Sequence, residues 1–162
     1  MGRKYTIPWY SAAKTTGGDT TGDLIQITSH TNRVTRIAAI HVEQHTDYGD
    51  AQAEGIRLQL ARFTTAGGLG AAITPTPLSP ADGAFGGTVL GGTEAVALTA
   101  AGTLTVVIEG GMNVQAGWHW TPPPGYEWEI TGAGKMVLKI KLPATFADAI
   151  DFEVTIEIEE LG

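Results

Sequence analysis

His41, Glu43 and His45 stand at alternate positions, the spacing that puts three side chains on one face of an extended strand. Imidazole and carboxylate groups so placed are metal ligands by type, but a closed zinc site takes four and this segment brings three. A solvent-facing strand side accounts for the same pattern, so no metal and no cofactor are assigned. The run HTDYGDAQAE that follows carries Asp47, Asp50 and Glu54, the hard oxygen donors calcium prefers. It lacks the regular oxygen spacing and fixed glycine of an EF-hand loop.

Stacking chemistry has a richer set of residues. Trp118, Trp120, Tyr126 and Trp128 surround the Pro122-Pro123-Pro124 run and would serve as a sugar platform if at least two rings were coplanar and exposed. Trp118 and Trp120 fall in phase with Met112 and Val114, which predicts burial instead. Covalent and acid–base chemistry finds little support. Cysteine is absent, there is no G-x-S-x-G elbow and no serine–histidine pairing, and no spacing singles out two carboxylates. The glycine-rich runs at residues 17–23 and 67–72 neither follow a strand nor open a helix with a phosphate-binding lysine, and read as turns. The expectation is a protein without catalytic residues.

The elements that would position these groups are strands. In DFEVTIEIEE, Phe152, Val154, Ile156 and Ile158 share one side, with Glu153, Thr155, Glu157 and Glu159 on the other. GIRLQLAR, TLTVVIE, MNVQAGWHW, YEWEI and KMVLKIKL alternate in the same way, and weaker strands are predicted near residues 4–10, 23–29 and 33–45. Lys135, Lys139 and Lys141 would complement the glutamates of residues 153–159 if those strands were antiparallel neighbours. Between Phe63 and about Glu94 runs a Gly/Ala/Thr/Pro-rich stretch of little periodicity, read as a long loop whose small apolar residues suit packing against another protein. The predicted fold is all-β: a single-domain antiparallel β-sandwich, jelly-roll-like, with residues 1–20 forming an N-terminal arm or first strand and residues 21–162 the sandwich.

Composition agrees. The 162 residues suffice for one core without covalent staples, and 22 glycines and 8 prolines suit short strands and turns. Ten basic against seventeen acidic side chains, a formal charge of −7, disfavour nucleic acid and anionic lipid as partners. No apolar run approaches the roughly 18 residues of a membrane span, and Pro8 and the aromatics around it interrupt any signal-peptide core. A soluble protein is expected.

With RIAAIHVEQHTDYGDAQAEGIRLQLARFTTAGG, TPTPLSPADGAF, MNVQAGWHWTPPP and LPATFADAIDFEVTIEIEE in this order, the chain resembles small virion-associated proteins of tailed bacteriophages, of the head decoration or cement kind. The resemblance covers most of the chain, but not MGRKYTIPWYSAAK or TEAVALTAAGTL. It implies a non-enzymatic structural protein in many copies on the outer head surface, with the major capsid protein and further copies of itself, in a closed ring such as a trimer, as partners. A tail or neck position fits the same features, and a carbohydrate-binding module is the alternative from another class. Contacts are expected from Tyr5, Ile7, Trp9 and Tyr10 in the N-terminal segment and from Leu69, Ile73, Leu78 and Phe85 in the long loop, since aromatic and apolar anchors dominate interfaces. Trp9 and Tyr10 would otherwise fill the core as part of the first strand.

Overall fold

Alternating apolar and polar side chains need two opposed sheets to bury one face of each, and that is the architecture of the computed structural model. It describes residues 2–14, 21–44, 55–65, 68, 70–92, 100–113, 115–141 and 150–162. Its strands are β1 (Arg3–Lys14), β2 (Thr21–Thr28), β3 (Val34–Gln44), β4 (Gly55–Thr65), β5 (Ala71–Ile73), β6 (Thr76–Pro77), β7 (Thr88–Gly91), β8 (Ala101–Asn113), β9 (Trp118–Trp120), β10 (Trp128–Thr131), β11 (Lys135–Lys141) and β12 (Ile150–Leu161). Among the described residues there is no helix. One sheet has the order β10-β3-β12-β1-β6, with β9 also on β3; the other runs β5-β7-β2-β11-β4-β8. All pairings among the described residues are antiparallel, the usual arrangement in a sandwich.

β12 shows how the sequence dictates the core. Its even-numbered apolar residues from Phe152 to Ile158 are buried while Glu153 and Glu157 are exposed. It is central in its sheet, with Ile156 opposite Ile7 of β1 on one side and Ile40 of β3 on the other. Across the sandwich, Ile56, Leu58 and Leu60 of β4, Met136 and Leu138 of β11 and Ile25 and Ile27 of β2 close the same core. Each such side chain contributes roughly 1.5–3 kcal/mol by leaving water.

The N-terminal segment is the first strand, lying between β12 and β6 inside the sheet. Tyr5 and Ile7 are 0% exposed, which corrects their assignment as contact residues: they point into the sandwich and cannot anchor a partner. The proposed pairing of residues 135–141 with 153–159 is also overturned, because β11 sits between β2 and β4 in the opposite sheet. The lysine there finds a different acid. Lys139 is opposite Asp23 of β2 and forms a buried ion pair with it.

MNVQAGWHW does not continue as one strand. The amide of Gln115 donates to Asn113 Oδ1 at 2.9 Å, that of Ala116 to the Asn113 carbonyl at 3.0 Å, and Gly117 takes φ +66°. This turn sends Met112 to one sheet and Trp118 and Trp120 to the other. In the Gly/Ala/Thr/Pro-rich stretch, three short strands join the sheets. β6 lies on β1, where Leu78 N donates to Lys4 O at 2.9 Å, and β7 lies on β2. Tyr5 Oη donates to Gly83 O at 2.9 Å and its ring meets Phe85 edge-on at 5.5 Å, fastening the TPTPL–GAF segment to the first strand.

Candidate functional site

The residues with the clearest capacity to bind something gather around β10, the edge strand of the first sheet. Pro124 and Gly125 form the corner of a turn closed by Tyr126 N donating to Pro123 O at 2.9 Å. Gly125 has φ +84°, so this is a type II turn, with proline pre-set for its first corner and glycine free to adopt the second. The turn lifts Tyr126 into solvent, 75% exposed. The chain then enters β10, which places Trp128 opposite Ile37, while β9 places Trp120 opposite Ile40 further along the same strand. The two indoles therefore sit side by side, centroids 6.3 Å apart with 29° between planes.

Both indoles are half-buried: they pack on the core and also line an open cleft of 770 Å³ with Tyr126, Arg36, Arg62 and Glu129. Burial was expected for Trp118 and Trp120, and both are only half-buried, packed against the core. Arg36 holds Glu129 through Nη2 at 2.8 Å and Nε at 3.3 Å, and Arg62 Nη2 donates to the Glu129 carbonyl at 3.3 Å from the opposing sheet. The hydrogen bond from Arg36 to Glu129, with nearby Glu127 and Glu159, raises the guanidinium pKa further above its ordinary value, keeping it a fixed cation. Near-parallel aromatic rings beside fixed donors and acceptors are the surface a sugar ring or another flat amphipathic ligand requires.

A second cluster lies on the outer face of β3. His41 Nδ1 and His119 Nδ1 are 2.6 Å apart, so one ring donates and the other accepts, and His119 Nε2 is 3.4 Å from Glu43 Oε1. His119, brought across by β9, was not anticipated, since nothing in one-dimensional spacing places it opposite His41. His45, Asp47, Asp50 and Glu54 lie outside the described residues, and among the described residues no group of three acidic or histidine side chains has a metal-holding arrangement. Glu153, Thr155 and Glu157 border this face, making it acidic and polar.

Of the remaining contact candidates, Trp9 is half-buried against the core and Tyr10 is 52% exposed. The Tyr10 hydroxyl hydrogen-bonds Asp151, which together with desolvation and the charges of Asp151 and Glu153 raises its pKa above the usual phenol value. Leu78 is 58% exposed, Ile73 and Phe85 are half-buried, and Leu69 lies outside the described residues.

The sequence did not reveal that Leu104 and Val106 of β8 are 42% and 45% exposed. Periodicity put them on one face, and the structure leaves that face open at the sheet edge. No protein-family model matches the chain, and no curated protein matches it.

Proposed function

We propose that this chain is a non-catalytic structural component of a tailed-phage virion, a decoration protein that binds the head shell in many copies. The observation that carries an assembly role is the edge strand β8. Proteins that work alone keep edge strands short, charged or covered; among the described residues the other edges, β5, β6, β9 and β10, have two to four residues, whereas β8 has thirteen. Its order in the sheets adds to this. We read β1-β12-β3-β10 facing β2-β11-β4-β8 as the strand order of a jelly roll, with β5, β6, β7 and β9 as short additions. Viral shell proteins and lectins both use that architecture, and the resemblance to virion-associated proteins selects the first. The exposed Tyr10 and Leu78 and the half-buried Trp9, Ile73 and Phe85 remain the proposed shell contacts, with the major capsid protein as partner.

Electron cryomicroscopy of particles carrying this protein tests the proposal. Regular density on the outer shell that this sandwich fills supports it; a bare shell with density at the tail or neck moves the protein there, and its absence from particles overturns the virion role.

The aromatic cleft favours a second reading, a carbohydrate-binding module. Under it, titration with oligosaccharides quenches tryptophan fluorescence. Tyr126→Ala then abolishes the quenching while changing stability by less than about 0.5 kcal/mol, because that ring is mostly in solvent. No quenching across neutral and acidic glycans removes this reading.

A further inference from the structure

We propose that β8 pairs with β8 of a second copy of this chain, antiparallel across a two-fold axis at Thr105, joining two six-stranded sheets into one. This goes beyond the virion reading and holds whatever particle or surface the protein occupies.

Among the described residues no strand pairs with β8 on the side away from β4. Residues 102–106 are all exposed. The strand AGTLTVVIEGGMN contains no proline and no lysine, the usual devices against edge pairing, and its single charge, Glu109, is already engaged by Arg57 of β4.

Backbone direction selects the register. Thr103 N donates to Thr64 Oγ1 at 3.0 Å, toward β4. Alternation along an antiparallel ladder then turns the N–H and C=O of Leu104 and Val106 the other way, outward. A copy related by a two-fold at Thr105 presents its Val106 to Leu104 and its Leu104 to Val106. Each pair exchanges two hydrogen bonds, and the two Thr105 residues face each other at a non-hydrogen-bonded position.

Side chains agree with this register. Leu104 and Val106 are opposite Phe63 and Ala61, so all four share one face. Phe63 and Ala61 form, with Val137, a small cluster packed by Ala100. Pairing therefore joins the clusters of the two copies through their exposed Leu104 and Val106 side chains. Glu109 falls opposite Ala101 of the second copy rather than opposite its own mate, so no like charges meet. That self-complementarity commits the edge to a second copy rather than to a foreign strand.

A strand-on-strand contact of this length buries less than the roughly 800 Å² per partner of a standard interface. It is therefore weak in dilute solution and effective where copies are held at high local concentration. The test follows from the absence of cysteine. Thr105→Cys in the full chain, at high protein concentration under mild oxidation, is expected to form a disulfide-linked dimer, whereas Thr121→Cys, on an exposed residue outside β8, is not. Sedimentation equilibrium of the unmodified protein is expected to show a monomer–dimer equilibrium. Val106→Lys should weaken it by roughly tenfold or more by placing lysines in the contact, with the thermal melt unchanged. A monomer at all concentrations, a dimer unaffected by Val106→Lys, or equal crosslinking of the two cysteine variants overturns the proposal.

Discussion

Asp23 and Lys139 meet on the side of their sheet away from the main core, with side chains only 2% and 11% exposed. Asp23 Oδ2 also accepts the amide of Ala100 at 2.5 Å, so the carboxylate is held from two directions. Two opposite charges removed from water contribute little net stability as a pair, but either alone is costly, because its partner stays buried without compensation. Lys139→Met is therefore expected to destabilise the protein by about 3–5 kcal/mol. The double substitution Asp23→Leu with Lys139→Met should recover most of that loss. Urea denaturation of the two single variants and the double variant measures the coupling. Additive losses would show that the pair does not interact. Alternation placed Lys139 on a polar face, but a polar strand face is ordinarily wet, and the sequence held no sign that this one is covered.

At the level of elements, β3 and β12 set Glu43 directly opposite Glu153, both exposed, with Asp151 and Glu157 on the same side of β12. Like charges across a strand pair repel, by roughly 0.2–1 kcal/mol for a direct neighbour. Glu153→Lys should raise the melting temperature, and the gain should shrink with added salt as screening removes the repulsion it relieves. A salt-independent change, or a loss of stability, would contradict this account. The same strands mark what sequence can and cannot tell. β12 and β4 were legible because strict alternation over many residues admits one conformation, and β12 needed no correction to its inward set. Pairing was not legible. The lysines of β11 suited the glutamates of β12 as well as they suited Asp23, and only the path of the chain between sheets decides. Strand ends were lost for the same reason. The turn at Asn113–Gly117 breaks an alternating run, and the signal for it, an asparagine and a glycine among apolar residues, is weak beside the periodicity around it. For the cleft, Tyr126 and Trp128 were identifiable by type around the Pro122-Pro123-Pro124 run, whereas the type II turn came only with the hydrogen bond and the φ of Gly125. Their meeting with Arg62 depends on the opposing sheet, which local sequence does not specify.

For the whole molecule, β1 to β4 pass alternately from one sheet to the other, so neighbouring strands in space are distant in sequence. β1 pairs with β12, joining the two ends of the described chain, with Arg3 opposite Glu160. The N-terminal strand therefore closes the fold rather than decorating it. Without residues 1–14, β12 would lose the ladder along one side, and the core would lose Tyr5 and Ile7, both fully enclosed. One such truncation within the strand, Ile7→Ala, is expected to cost about 2–5 kcal/mol. A domain of this kind typically has only about 5–15 kcal/mol in total, so deletion of residues 1–14 is expected to abolish cooperative unfolding. Tyr10→Ala, on the exposed side of the same strand, should cost far less, since its ring is 52% exposed and its hydrogen bond to Asp151 lies at the surface. Chemical denaturation of these three variants separates a structural strand from a detachable arm: a truncated protein that still melted cooperatively would return residues 1–14 to the role of an arm and free them for contacts with a shell.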